Sequence, residues 1–253
     1  MPPALSRRPR GRVEPLRIAA QDDIREREMR TLFNLTRPEE AGRSDVDAVL
    51  ELKGRGVPAS LAGRTVSFEL KSATGGRPTI STVRDFGLHH LEKWRKLHWI
   101  FGVYARDRRG DQRLQYCLYG SPRAMKPWFD RMSAYIQPDV ALAEHVPALI
   151  TDKTLTAILG KAARFDRDDA KRLMKNQYGA DDYDDASDLP GGRYSRRAML
   201  QMLQERCGYV IQRGATLNNP HIPAAFFEGW EHIADDHAAR LRELVITALT
   251  SRR

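Results

Sequence analysis

The sequence predicts an α/β fold: a mixed central sheet flanked by helices, with a helical C-terminal part. Three patterns predict it. Residues 66–72 alternate strictly between apolar and polar side chains, the period of a strand with one buried face. Residues 99–104 and 114–119 are rich in aromatic and aliphatic residues on either side of the turn Arg108-Arg109-Gly110-Asp111, as paired buried strands are. After Ser121-Pro122, a favoured helix start, apolar residues recur at helical spacing almost to the end of the chain.

The elements follow in order. Residues 1–17 carry Arg7, Arg8, Arg10 and Arg12 among prolines and a glycine. They read as a basic tail, either solvated or an arm that touches phosphate. Residues 19–35 read as a helix with Ile24, Leu32 and Leu35 on one face, ended by Pro38. Asp47 to Leu52 is a strand, Lys53 to Pro58 a turn, Val66 to Ser72 a second strand, and Ala73 to Pro78 a loop. A helix is predicted from Thr79 to Leu97, burying Val83, Phe86, Trp94 and Leu97. His90 lies on that face as a core histidine, and His89 is solvated. Beyond the two strands already named, helices are expected over 122–136, 152–160, 166–178, 195–213 and 223–250, with an acidic loop at 181–188. The chain therefore divides into a tail (1–17), an α/β core (18–121) and a helical part (122–253).

Of the 253 residues 41% are hydrophobic, enough for a packed core. Lys and Arg total 42 against 33 Asp and Glu, and the resulting charge of +9 points to a polyanionic partner such as nucleic acid. No apolar run reaches the roughly 20 residues of a membrane span, and the N-terminus lacks the apolar stretch of a secretory signal. Cys117 and Cys207 form neither a disulfide framework nor a CxxC zinc pair. A cytoplasmic protein without a membrane partner is the expectation. No glycine-rich phosphate loop of the Walker type occurs, so no nucleotide cofactor is expected.

The chemistry-bearing residues cluster on the first two strands. In Val66-Ser67-Phe68-Glu69-Leu70-Lys71-Ser72 the apolar residues point inward, and Glu69 and Lys71 project side by side from the other face. Asp47 heads the preceding strand, and a hairpin would bring it beside Glu69. Two carboxylates with phosphate oxygen and water suit Mg²⁺, which polarises a phosphodiester and acidifies its water. A lysine alongside orients or deprotonates that water and stabilises the developing charge. The bland alternative, a cross-strand salt bridge, uses the same residue types.

These residues, Asp47 in Asp-Ala-Val-Leu-Glu-Leu and then Glu69-Leu70-Lys71 after a gap of 22, resemble the PD-(D/E)XK nuclease superfamily, as does the order helix, strand, strand, helix, strand. The resemblance covers about residues 20–120. It departs from the pattern in having no proline before Asp47, and Asp45 is the alternative aspartate. It implies a restriction-endonuclease-like core, Mg²⁺ as cofactor, Asp47, Glu69 and Lys71 as catalytic residues, and Asp47 and Glu69 as metal ligands. Glu28, on the first helix, is a candidate third metal carboxylate, or else a surface glutamate.

For the DNA, Arg77 after Gly75-Gly76 is a candidate phosphate contact. Ser72 is a second, unless it is simply a polar strand residue. Arg193, Arg196 and Arg197 surround Ser195, the expected cap of a helix whose basic start suits a groove or a solvated face. Asn218 and Asn219 are placed to read base edges or to shape a turn. The resulting expectation is a type II restriction-type endonuclease, a homodimer on a palindromic site in double-stranded DNA. A structure-specific repair or recombination nuclease and a non-catalytic DNA-binding protein are the alternatives.

Overall fold

The computed structural model describes residues 16–38, 46–75, 79–83, 86–175, 177–214 and 219–251. In chain order they form α1 (Leu16–Leu32), β1 (Ala48–Glu51), β2 (Thr65–Thr74), β3 (Ile80–Ser81), α2 (Leu88–Trp94), β4 (His98–Arg106), β5 (Gln112–Gly120), α3 (Pro122–His145), α4 (Asp152–Leu159), β6 (Arg164–Phe165), α5 (Arg167–Met174), α6 (Ala180–Asp185), β7 (Tyr194–Ser195), α7 (Arg196–Gly214), β8 (His221–Ile222) and α8 (His237–Thr250). The arginines of the basic tail, Asp45, Arg77 and Asn218 lie outside the described residues. The described part is a mixed α/β protein with a four-stranded mixed sheet, ordered β1-β2-β4-β5. No helix among the described residues is long and apolar enough to cross a membrane.

β1 pairs antiparallel with β2, setting Ala48 opposite Phe68 and Glu51 opposite Thr65. β2 and β4 run parallel, with Glu69 opposite Trp99 and Lys71 opposite Phe101. β5 returns antiparallel to β4. Because side chains alternate along a strand, Phe68 and Leu70 join Ile100 on one face. There they form one apolar cluster with Met29 and Phe33 of α1 and Leu241 and Val245 of α8. Glu69 and Lys71 necessarily take the opposite face.

A glycine on β4 sets how closely α1 approaches. A Cβ on Gly102 would lie 2.9 Å from both Met29 Sδ and Tyr104 Cε2. Gly102→Val is expected to cost about 1–3 kcal/mol by overpacking. The effect is read as a lower denaturant midpoint at unchanged slope.

The compact units are not consecutive in the chain. One contains the described residues among 1–80, 97–121 and 227–253, the other those among 81–96 and 122–226. The units differ from the sequence division at 121 in where two segments fall. The expected helix over 223–250 is broken: Gly229 has φ 79° and Asp236 φ 42°, and Ile233 exchanges two 2.8 Å backbone hydrogen bonds with Cys117 of β5. That exchange ties residues 227–253 to the sheet. The helix expected over 79–97 shrinks to Leu88–Trp94 and belongs to the second unit. It starts after the extended Gly87.

Two further expectations change in the second unit. α3 runs on past residue 136 to His145 despite Pro138, because Ile136, Val140 and Ala143 keep the same face buried. The acidic stretch is not wholly loop. Asp181 and Asp182 occupy the first turn of α6, where carboxylates complement the helix dipole, and Tyr183 anchors that helix in a cluster with Leu155, Phe165, Tyr194, Met199 and Met202.

His98, the first residue of β4, is buried, its Nδ1 2.6 Å from the hydroxyl of Tyr119 on β5. Burial, helped by the charge of Arg64, holds its pKa down from 6.5 to about 4. Between those values the unfolded chain takes up the proton and the folded one does not. The contribution is complete above pH 6.5 and disappears as pH falls to about 4, a loss of about 3 kcal/mol at about 1.4 kcal/mol per pH unit. A His98→Asn variant is expected to show a correspondingly flatter stability profile over that window, measured by urea unfolding at successive pH values.

Candidate active site

Asp47 immediately precedes β1, and its backbone N–H donates to Phe68 O at 3.1 Å, which continues the β1–β2 register by one residue. That register brings it beside Glu69. Its carboxylate Oδ2 accepts from the Leu70 N–H at 2.8 Å, so the side chain is held against β2. Lys71 Nζ lies 2.5 Å from Glu69 Oε1 and 3.8 Å from Asp47 Oδ2. A single positive nitrogen thus touches both carboxylates. The side chains of Glu69, Lys71 and Asp47 are 6%, 19% and 22% exposed. Water is scarce enough there that charge–charge terms exceed those of an open surface pair.

The electrostatics favour a cation. Burial pulls the Lys71 ammonium down, but Glu69, Asp47 and Glu26 together overcome it and raise its pKa. Glu26 of α1 is raised as well, by burial first and then by Asp47, against the opposing pull of Lys71 and Arg30. Two carboxylates thus lie within 4 Å of the lysine, and Glu26 adds its negative charge to theirs, within a chain of net charge +9. The donor set is all oxygen, and magnesium is commonly held by one or two carboxylates with water and substrate phosphate completing its shell. Asp47 and Glu69 are the two carboxylates that could serve as such a pair, while no group of three or more His, Cys, Asp or Glu side chains among the described residues is placed to hold a metal ion.

The two α1 glutamates have different surroundings. Ile24 is 63% exposed rather than core; the buried stripe of α1 is Met29 and Phe33. Glu28 accepts from the Tyr104 hydroxyl at 2.8 Å. The carboxylate that feels Asp47 and Lys71 is Glu26, 3.6 Å from Arg30, whose guanidinium also donates to Asp47 O at 3.4 Å. Its signal was present in the sequence. Residues 26, 29, 30 and 33 share one helical face, and Met29 and Phe33 are apolar.

The predicted DNA contacts scatter. Ser72 Oγ accepts from Arg25 at 2.9 Å, and that guanidinium also reaches Thr74 Oγ1 and lies over the Tyr104 ring. Arg196 binds Asp152 at 2.7 Å and donates to Thr156 Oγ1 and to the carbonyls of Gly160 and Ala162. It fastens α7 to α4, a structural use that sequence spacing did not suggest. Arg193 and Arg197 are exposed. Ser195 caps α7 as expected, accepting from the Ala198 N–H at 3.2 Å. Asn219 donates to Ser81 Oγ at 3.1 Å. Compared with models of known protein families and with curated protein sequences, the chain matches none.

Proposed function

We propose that the chain is a magnesium-dependent deoxyribonuclease of the PD-(D/E)XK type, acting as a homodimeric type II restriction endonuclease on double-stranded DNA. The observation that carries this reading is the Lys71 ammonium in reach of both Asp47 and Glu69 on neighbouring segments of one sheet. Asp47 and Glu69 would hold the metal, with Glu26, whose carboxyl feels both Asp47 and Lys71, contributing charge beside them. Bound there, Mg²⁺ supplies charge neutralisation at the phosphate and a more acidic water. Lys71, held as an ammonium by its carboxylate neighbours, orients the attacking water and offsets the charge that builds on the phosphorus oxygens. The Leu70 N–H fixes the Asp47 carboxylate, so little reorganisation is required when substrate arrives. A net charge of +9 draws the polyanion in.

A palindromic site follows from two-fold symmetry in the protein. The test is digestion of a phage genome and of a plasmid with Mg²⁺, followed by sequencing of the ends. Discrete fragments with a common end sequence are expected. DNA left intact at every Mg²⁺ concentration would remove the hydrolytic reading.

A further inference from the structure

The second unit holds a groove that the proposed cleavage chemistry does not use. Gly87, Leu88, His89 and His90 at the start of α2 face Tyr209, Gln212 and Arg213 near the end of α7 across a cavity of about 400 Å³. Gly87 and Gln212 are the closest points of the two walls: a Cβ on Gly87 would stand 3.5 Å from Gln212 O, in ordinary contact. The α7 wall, Tyr209 and Arg213, is one end of a ladder of cation and ring. Arg206, Tyr209 and Arg213 follow at spacings of three and four along α7, which places them on one face. The guanidinium carbons of Arg206 and Arg213 lie 5.6 and 5.3 Å from the Tyr209 ring centroid. Arg213 also donates to the Tyr209 hydroxyl at 2.6 Å. The opposite wall is imidazole: His89 is exposed, and its ring packs edge-on against His90, with centroids 4.7 Å apart. His90 is in turn supported by Phe86 and Trp94.

Planar groups interleaved with cations, with no carboxylate among the described residues that line the cavity, match a flat base attached to a phosphate. The geometry points to a nucleotide-binding groove, in which a base stacks on the Tyr209–Arg213 wall and its phosphate meets Arg213 and His89. This rests on the DNA reading above in taking an unstacked nucleotide of a DNA strand as the source; a free mononucleotide offers the same chemistry. The two walls explain why a duplex would have to yield one base to use it, since a stacked base shows no face.

The experiment is fluorescence anisotropy of a labelled single-stranded hexanucleotide with the full-length protein in EDTA, where no cleavage intrudes. Tyr209→Leu, which keeps apolar packing, and the exposed Arg213→Ala are each expected to weaken binding about tenfold, in line with stacking by one base. Arg213→Ala is also expected to lower the slope of log affinity against log salt by about one. Lys153→Ala, an exposed residue outside both the groove and the Asp47–Glu69–Lys71 cluster, is expected to bind like the unaltered protein, and Mg²⁺-dependent cleavage measured on each variant reads failure of the cleavage site separately from failure of the groove. Competition by millimolar deoxyadenosine monophosphate at Tyr209-dependent strength identifies the free nucleotide as a ligand; a strand-only effect identifies DNA. Binding of both oligonucleotide and mononucleotide unchanged in Tyr209→Leu and Arg213→Ala would overturn the assignment.

Discussion

Lys71→Ala is expected to lower Mg²⁺-dependent cleavage by about a thousandfold or more, within the range for losing a positioned proton-transfer or charge-stabilising group. Affinity for uncleaved DNA is expected to stay within about threefold, because this lysine is spent on carboxylates rather than on a phosphate contact at rest. The substitution also removes the ammonium 2.5 Å from a glutamate that is only 4% exposed. Without metal that should destabilise the fold by about 1–3 kcal/mol, the cost of stripping the partner from a buried charged group. Mg²⁺ is expected to restore it, since a ligand that binds only the folded state stabilises by mass action. The variant should therefore gain more thermal stability from Mg²⁺ than the unaltered protein does. Binding by gel shift, single-turnover cleavage and thermal melts with and without Mg²⁺ check the three parts. Cleavage at the normal rate by this variant removes the role given to Lys71.

The second large effect belongs to Glu69. Glu69→Gln keeps shape and removes one of the two negative charges facing the lysine. Cleavage is expected to fall by about a thousandfold, as with Lys71→Ala, but the response to metal should be opposite. The glutamine variant loses most of its Mg²⁺-induced stabilisation, because a neutral amide is a poor ligand for a hard dication. The two variants look alike in an activity assay and diverge in a melting curve. Equal Mg²⁺ responses in both would show that Glu69 serves only as the partner of Lys71.

How far the site was legible depended on range in the chain. Strand β2 announced itself by alternation, and alternation alone put Glu69 and Lys71 on one face. The neighbouring Asp47 needed only a local antiparallel pairing, which the structure supplies. What was misread lay in contacts distant in sequence. The choice between Glu26 and Glu28 turns on which α1 stripe is buried, and that is decided by Gly102, more than seventy residues away, admitting Met29. Arg196 looked like a free cation at a helix start because Asp152, its partner, lies 44 residues earlier. The break in the last helix follows from the pairing of Ile233 with Cys117, which overrides a local pattern that favours helix.

The fold class survived these errors since it rests on periods, which are local. The same reasoning explains why the groove between α2 and α7 was invisible in the sequence. His89 and Tyr209 are 120 residues apart, and neither the Tyr209 ladder nor Gly87 signals the other.

The most direct measurement is a crystal grown with Mn²⁺ in place of Mg²⁺, examined for anomalous scattering. A peak shared by the Asp47 and Glu69 carboxylates, with the Lys71 ammonium drawn off Glu69 but still beside it, is the predicted result. Mn²⁺ bound only at other residues, with Lys71 still bridging both acids, would contradict the metal site and leave the three residues as a structural ion pair.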